Sequence, residues 1–212
     1  LSVFDYDNNR NYRFVIQDGK SLKMLDSKLN TVKGFKRNKL NSDIKFPIKH
    51  VRILNKDYLL LVSKNNKPLI LDRRGNIRIK LPENFTTSTN HFYENDGGII
   101  TINDLNQLVR IELNGKISSK QLPDQKNIIH SNKNNLIVLS NGNITINNTE
   151  YKIPFGNFDD LNIKGSKNNT YFHFRDVNEK KSYLYNSNGM VSGFPIYSTS
   201  TFDFSFDKNQ DL

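Results

Sequence analysis

The sequence contains no cysteine among its 212 residues. Disulfide bonds and thiolate chemistry are therefore excluded. It also lacks a run of about 18 apolar residues, the length that a membrane-spanning helix needs, so we expect no transmembrane segment. No charged-then-apolar leader opens the sequence, and we expect any export signal to have been removed or to lie outside it.

Helical patterning and catalytic motifs are missing as well. No amphipathic stretch of about ten or more residues is present. There is no G-x-S-x-G elbow around a serine, and the Asp-Gly-Gly at 96–98 reads as a hairpin turn rather than a phosphate loop. Asp159, Asp160, Asp203 and Asp207 could serve as paired catalytic carboxylates by residue type alone. These absences favour a non-enzymatic protein.

What the sequence does contain is a recurring strand pattern. Two short apolar runs, 58–62 and 69–71, predict buried strands. A hairpin turn follows at 72–76, where Gly75 can take the positive φ that such turns require. Residues 77–81 then alternate apolar and basic side chains, which is typical of a half-exposed strand.

The pattern repeats along the chain. Equivalent turns lie at Gly75, Gly115, Asn148 and Gly189, at steps of 40, 33 and 41 residues. The first copy is predicted to end in a strand at 32–35, and the fifth in a strand at 191–194. Each later copy is preceded by one more strand and a tight polar turn. The predicted leading strands are residues 50–54, 90–93, 127–131 and 161–164.

Four antiparallel strands in about 40 residues predict a β-propeller blade. A single such sheet cannot cover both of its faces, so blades occur in stacked arrays. We therefore predict an all-β fold, a β-propeller of four-stranded antiparallel blades in one array over residues 1–212, with five units and the start of a sixth. The predicted units are residues 1–44, 45–82, 83–123, 124–156 and 157–197, with a partial unit at 198–212.

The first unit opens on a loop with oxygen-bearing side chains at alternate positions, the spacing of a calcium loop. These residues are Asp5, Asp7, Asn9 and Asn11. Over about twelve residues the stretch resembles the integrin-type FG-GAP propeller repeat, D-x-D-x-D-G-x-x-D, which implies a calcium site. Arg10 replaces the turn glycine of that repeat and Arg13 replaces its last carboxylate. The alternative is a polar hairpin whose Asp and Asn side chains bond to turn amides, and we expect no other cofactor.

As a whole, the strand pattern is similar to bacterial β-propeller repeats of the quinoprotein-like and FG-GAP type. That resemblance implies the propeller part of a larger secreted or envelope-associated protein, in the periplasm or cell envelope rather than the cytoplasm. Residues 198–212 repeat the opening pattern of the first unit. We therefore expect this chain to be a monomer or a part of a longer one.

The net charge of +10 points to an acidic partner or to a solvated basic surface. The densest basic stretch lies in the loop after the first unit, at Lys36, Arg37 and Lys39, and we predict that these residues contact anions. The stretch lacks the interleaved aromatic residues of a single-strand binding platform. Nucleic acid is therefore an alternative partner and not the preferred one.

Three functions remain open on the sequence alone. We favour a non-enzymatic binding or scaffold module that holds a protein or a glycan with the loops of one propeller face. The first alternative is a hydrolase or lyase acting on an anionic polymer, which would require convergent acids and a base. The second is a basic surface for nucleic acid, whose affinity should fall steeply with salt.

Overall fold

A computed structural model describes residues 1–35, 40–123, 127–132, 135–165, 170–200 and 204. These residues form strands, turns and loops, with no helix among them. Consequently, the described part of the chain offers no helix long and apolar enough to cross a membrane. The chain divides into two compact units, Leu1–Gln121 and Leu122–Leu212.

The described residues of unit 1 form three antiparallel sheets with sequential strand order. The first sheet consists of β1 (Ser2–Phe4), β2 (Arg13–Asp18) and β3 (Ser21–Leu25). The second consists of β4 (Lys49–Ile53), β5 (Lys56–Val62), β6 (Pro68–Leu71) and β7 (Ile77–Ile79). The third consists of β8 (Tyr93–Asn95), β9 (Gly98–Ile102), β10 (Gln107–Ile111) and β11 (Ile117–Gln121).

Two more antiparallel sheets are formed by the described residues of unit 2. The fourth sheet consists of β12 (Ile128–Asn132), β13 (Asn135–Ser140), β14 (Asn143–Ile146) and β15 (Thr149–Lys152). The fifth consists of β16 (Phe158–Gly165), β17 (Thr170–Asp176), β18 (Lys181–Asn186) and β19 (Gly189–Met190), and β20 (Ile196–Tyr197) also pairs with β18. The predicted fold class, all-β with four-stranded propeller blades, is confirmed.

Two predicted outer strands, 32–35 and 191–194, are wrong. Both segments have the sequence Val-x-Gly-Phe, and both form a turn in which the Phe amide donates to the Val carbonyl, at 3.4 Å for Phe35 and 3.2 Å for Phe194. Gly34 and Gly193 take φ of 88° and 87°, which the third position of a type II turn requires. The first sheet gains only an isolated bridge from Leu25 to Thr31 in place of a fourth strand.

The leading strand predicted at 90–93 is displaced. The observed strand is β8, because residues 87–92 use side chains to satisfy their own backbone. The Thr87 hydroxyl accepts from the Thr89 amide at 3.4 Å, and the Thr89 hydroxyl accepts from the His91 amide at 3.3 Å. These local bonds compete with pairing to β9, so the strand begins only at Tyr93.

A five-residue hairpin loop occurs five times among the described residues of unit 1. In each loop the first amide donates to the fifth carbonyl at 2.8–3.1 Å, and the fourth amide donates to the first carbonyl at 2.8–3.0 Å. The fourth residue always has positive φ, between 55° and 89°. The five loops are residues 26–30, 63–67, 72–76, 103–107 and 112–116. In three of them an Asp or Asn at the first position also accepts two loop amides.

The core of unit 1 covers both faces of the second sheet. On β5, Leu59 and Leu61 pack with residues of the first sheet. The alternate residues Tyr58, Leu60 and Val62 pack with residues of the third sheet. This two-sided burial explains why residues 58–62 read as an uninterrupted apolar run rather than as an alternation.

The core of unit 2 lies between the fourth and fifth sheets. Branched residues of β13 and β14 face an aromatic group on the fifth sheet. The Phe174 ring stacks on Tyr183 at 5.1 Å and meets Phe158 edge-on at 5.2 Å. Aromatic pairs of this kind add to the stabilisation from apolar burial.

Leu29 should tolerate, and benefit from, replacement by glycine. It holds the fourth position of the 26–30 loop at φ 63°, and its side chain is 68% exposed. A left-handed conformation costs a residue with a Cβ roughly 1–2 kcal/mol. Leu29→Gly should therefore raise the free energy of unfolding by about 0.5–1 kcal/mol in urea titrations, after the entropic cost of glycine.

Lys28→Gly provides the matched control in the same loop. Lys28 does not have positive φ, so only the entropic cost of glycine applies and stability should fall. If both glycine variants change stability in the same direction, the loop geometry is not the cause.

Candidate anion-binding surface

The predicted anion-contacting residues Lys36, Arg37 and Lys39 lie outside the described residues, and their role stays a prediction. The described part of unit 1 instead presents a basic depression of about 560 Å³ at one end of the second sheet. It is lined by Asp7, Arg52, Asn55, Lys56, Asp57, Asp72, Arg73, Arg74, Asn76 and Arg78. We call this set the basic depression.

A buried carboxylate forms the floor of the basic depression. Asp57 begins the apolar part of β5, and its side chain is only 2% exposed. His50 Nε2 lies 2.7 Å from Asp57 Oδ1, and Arg73 Nε donates to Asp57 Oδ2. Arg52 Nη1 stands 4.0 Å from Asp57 Oδ1. A buried carboxylate needs such partners, because desolvation of a lone charge costs several kcal/mol.

Tyr6, in the loop after β1, joins the first sheet to this network. Its carbonyl accepts hydrogen bonds from Arg52 and from Arg73 Nη2, the latter at 3.2 Å. The Arg73 guanidinium lies 4.7 Å from the Tyr6 ring centroid, and His50 meets that ring edge-on at 5.2 Å. Burial, together with the negative charge of Asp57, raises the pKa of Tyr6. Tyr6 is therefore a neutral, structural element at ordinary pH.

Three exposed cations of the basic depression form no close ion pair, although the charge of Arg78 acts on Asp72 and helps to lower its pKa. Lys56, Arg74 and Arg78 are exposed, and none of them forms an ion pair with another described residue. The Arg78 guanidinium lies 5.0 Å from the Tyr58 ring centroid, within the range of a cation–π contact. Asp72, the nearest acid in sequence, is occupied by the amides of Arg74 and Asn76.

The rim of the basic depression includes a strained hairpin. Leu54 and Asn55 connect β4 to β5 with φ of 47° and 60°, the geometry of a type I′ turn. Asn suits this geometry, but leucine does not, and the Leu54 side chain is 74% exposed. A residue that breaks a local rule while facing solvent indicates a function rather than a packing role.

The alternating loop at Asp5 does not fit a calcium ion. The Asp5 carboxylate accepts the amides of Asn9 and Arg10 at 3.2 and 2.9 Å, and Asn9 Oδ1 accepts the Asn11 amide at 2.9 Å. Asp7 Oδ1 pairs with Arg73 Nη2 at 2.9 Å. The oxygen atoms thus satisfy turn amides and an arginine instead of forming an open cage for Ca²⁺.

Of the four acids considered for catalysis, Asp159 is the one whose side chain the structure describes. Asp159 forms a two-point ion pair with Arg175, at 3.2 and 2.7 Å. Asp203, Asp207 and the side chain of Asp160 lie outside the described part of the structure. Within the parts of the chain that the structure describes, no three His, Asp or Glu side chains gather as a metal site would require.

Lys49 occupies a second unusual position in unit 1, on β4. Its Nζ lies 3.8 Å from the centroid of the Tyr93 ring on β8. Burial lowers the pKa of Lys49 to about 8. Burial, with a contribution from the Lys49 charge, also lowers the pKa of His91, whose ring stacks beside Tyr93 at 6.3 Å. The ammonium is thus stabilised by an aromatic face rather than by an anion.

Sequence reasoning missed the basic depression because its residues come from separate stretches of the chain. Arg73 and Arg74 occupy the two middle positions of an ordinary hairpin loop, where charged residues are common. Only the pairing of adjacent arginines with a lone acid at the start of an apolar strand, Asp57, could have indicated it. A carboxylate next to an apolar run needs a cationic partner from elsewhere in the chain.

Asp57→Asn should destabilise unit 1 by about 2–3 kcal/mol, because removing one member of a buried charge network leaves the others uncompensated. The partial exposure of Arg73, 38%, lets water recover part of this cost. Urea unfolding at neutral pH measures the change.

Asp7→Asn is the matched control, since Asp7 bonds to the same arginine but is 56% exposed. Its loss should cost under about 1 kcal/mol, as for other exposed pairs. Equal costs for the two variants would contradict a special role for the buried carboxylate.

Lys49 should make the protein more stable as the pH rises above 8. Its folded pKa falls from 10.5 to about 8, so the unfolded chain binds more protons between these values and stability increases with pH there. Unfolding at about pH 7.5 and about pH 9.5 should differ by about 1–2 kcal/mol, allowing for solvent around the side chain. Lys49→Met, which has no titrating group, should lose this gain. Burial raises the pKa of Tyr93, so the titration of Tyr93 affects stability only at higher pH than that of Lys49. If Lys49→Met gains as much stability between the two pH values as the wild type, Lys49 is not the responsible group.

The chain matches no protein-family model and no curated protein sequence. Solved structures do share its fold. The crystal structure of BBS1N in complex with ARL6DN, soaked with lead, aligns with a TM-score of 0.61 at 16% identity, over 88% of this chain and 66% of that one.

Two further structures align equally well. Virginiamycin B lyase from Staphylococcus aureus gives a TM-score of 0.61 at 16% identity, over 92% of this chain and 69% of that one. Hsv2 from Kluyveromyces lactis gives 0.61 at 10% identity, over 87% and 60%. The chain thus spans roughly two thirds of the length of its structural neighbours. At these identities the likeness establishes the fold alone, and this protein has an all-β fold of the propeller type.

Proposed function

We propose that this protein is a binding module that holds an acidic protein partner in the basic depression of unit 1. The observation that carries the proposal is the set of three exposed cations, Lys56, Arg74 and Arg78, which form no ion pair with another described residue. They stand above a carboxylate network that already occupies Arg52 and Arg73. The network holds the surface in place, and the three free cations face the partner.

The chemistry of the free cations suits carboxylates. Arginine presents a planar fork of donors that matches a carboxylate with two parallel hydrogen bonds. The Arg78 guanidinium already contacts the Tyr58 ring, so less side-chain entropy is lost on binding. The net charge of +10 would also accelerate encounter with an acidic partner.

The exposed Leu54 supplies an apolar contact at the rim of the same surface. It is held at φ 47° on the hairpin between β4 and β5, next to Asn55 and Lys56 of the basic depression. An apolar residue beside a group of cations fits a protein partner better than a polyanion, because polyanions offer few apolar groups to cover it.

The structural neighbours include a protein solved in complex with another protein and a protein named as an enzyme. BBS1N was solved in a complex with ARL6DN, which is a precedent for a protein partner, and the S. aureus neighbour is named a lyase. The alternative function, a hydrolase or lyase on an anionic polymer, would need free acids beside the cations. Asp7, Asp57 and Asp72 are each engaged by arginines, a histidine or turn amides. This arrangement supports binding over catalysis.

We also propose the wider setting that the sequence resemblance implies. The five sheets would belong to one propeller array, within a larger secreted or envelope-associated bacterial protein with quinoprotein-like or FG-GAP-type repeats. Lys36, Arg37 and Lys39 would add a second anion contact near the first unit.

Reversing two free charges should weaken binding to an acidic polypeptide. With labelled poly-L-glutamate as the probe, Arg74→Glu combined with Arg78→Glu should lower the affinity at least about tenfold, or about 1.4 kcal/mol. Fluorescence anisotropy at several salt concentrations measures it. The salt dependence should also become shallower, because fewer charges contact the probe.

Leu54→Asn relieves the strained turn, so it should stabilise the fold while weakening capture of the protein partner from the source cells.

The control reverses charge elsewhere in unit 1. Lys120→Glu with Lys116→Glu makes the same change in net charge on the side of the third sheet, where both residues are exposed. It should alter affinity less than about threefold. Equal losses from both double variants would show that net charge alone binds the probe. Tighter binding of duplex DNA than of poly-L-glutamate at the same salt would favour the nucleic-acid alternative.

A further inference from the structure

Unit 2 contains a half-enclosed cavity of about 470 Å³ that the proposed function does not use. It lies where the turn between β13 and β14, the segment between β15 and β16, and the turn after β17 meet. Its volume falls within the ~300–1,000 Å³ range of small-molecule sites. The lining side chains include three asparagines, a serine and apolar residues, and none of them is charged.

The walls of this cavity are fixed by hydrogen bonds. Asn141 Oδ1 accepts the Gly156 amide at 2.9 Å, and the Ile153 amide donates to the Gly142 carbonyl at 3.0 Å. On the other side, the Val177 amide donates to the Asn157 carbonyl at 2.9 Å. The segment between β15 and β16 is thus tied to both neighbouring turns, which keeps the cavity open before any ligand binds.

Gly156 fits this position for a steric reason. A Cβ there would stand 2.1 Å from Oδ2 of Asp176, a residue that is 1% exposed. Asp176 cannot easily move, because its Oδ1 accepts the amides of Asn178 and Glu179 at 2.9 and 3.2 Å. The absence of a side chain at Gly156 leaves room at the cavity wall.

The cavity combines an exposed aromatic face with free amide groups. Phe155 is 80% exposed, and its ring packs against Gly142 at the rim. Ile128, Leu139 and Phe158 supply the apolar part of the lining. The side-chain amides of Asn157 and Asn178 form no hydrogen bond with any described residue. Each amide can therefore both donate to and accept from a ligand.

We propose that this cavity binds a neutral saccharide. A sugar ring has an apolar face of C–H groups, which suits the Phe155 ring, and an edge of hydroxyls, which suits donor and acceptor amides. The absence of charge is informative in a chain where 25% of residues are charged and the net charge is +10. A charged ligand would leave its charge without a partner in the lining. This site is separate from the basic depression, and it stands or falls independently of the proposed function.

Ligand-observed and protein-observed NMR test the proposal directly. The probes are methyl glycosides of glucose, galactose, mannose and N-acetylglucosamine, and their disaccharides, titrated to about 10 mM, where weak single-site binding becomes measurable. At least one of them should shift the backbone amide resonances of residues 140–142, 155–158 and 178. Phe155→Ala should weaken that sugar about tenfold, and Asn157→Ala about fivefold.

Tyr197→Ala is the matched control. Tyr197 is an aromatic residue of unit 2 with 72% exposure that does not line the cavity, and its loss should leave affinity within about twofold. Phe155 is exposed, so its replacement should leave the fold intact, which the amide spectrum verifies. Three results would each overturn the proposal: no saccharide shifts these resonances, Phe155→Ala binds like the wild type, or a uronic acid or a nucleoside binds more tightly than every neutral sugar.

Discussion

A four-stranded antiparallel sheet has two apolar faces, and the rest of this structure follows from the need to cover both. Strand β5 shows the constraint most clearly. Leu59 and Leu61 pack toward the first sheet, while Tyr58, Leu60 and Val62 pack toward the third. Because apolar burial is the dominant favourable term in folding, a sheet with one face uncovered would be poorly stable. The sheets must therefore come in succession, which the repeat of about 40 residues provides.

The strand pattern was predictable from the sequence because side-chain alternation and turn residues act locally. Gly75 took its expected positive φ, at 79°. The failures arose where one short sequence fits two local structures. Val32 to Phe35 has apolar ends like a strand, yet Gly34 lets the chain turn, and the bond from the Phe35 amide to the Val32 carbonyl stabilises the turn. The sequence pattern alone does not show whether the Phe35 amide will bond within the turn or to a neighbouring strand.

The basic depression could not be predicted, because it depends on contacts between distant parts of the chain. Arg73 meets Tyr6 and Asp7, which precede it by 67 and 66 residues. Before folding, Arg73 and Arg74 look equivalent. Folding separates them, since Arg73 becomes a structural partner of Asp57 while Arg74 stays exposed without an acidic partner among the described residues. The burial of a single carboxylate thus decides which of the two arginines is bound within the chain.

The recurrent five-residue loop separates what holds the backbone from what meets the solvent. Its closure uses the backbone and side chain of the first residue and the positive φ of the fourth, and no bond shared by the five loops involves the side chain of the second or third residue. In the 72–76 loop those two open positions hold Arg73 and Arg74, and in the 103–107 loop they hold Asp104 and Leu105. Such a loop is evolvable: new surface chemistry can be introduced at its centre without disturbing the hairpin beneath. One scaffold can thus acquire different specificities, blade by blade.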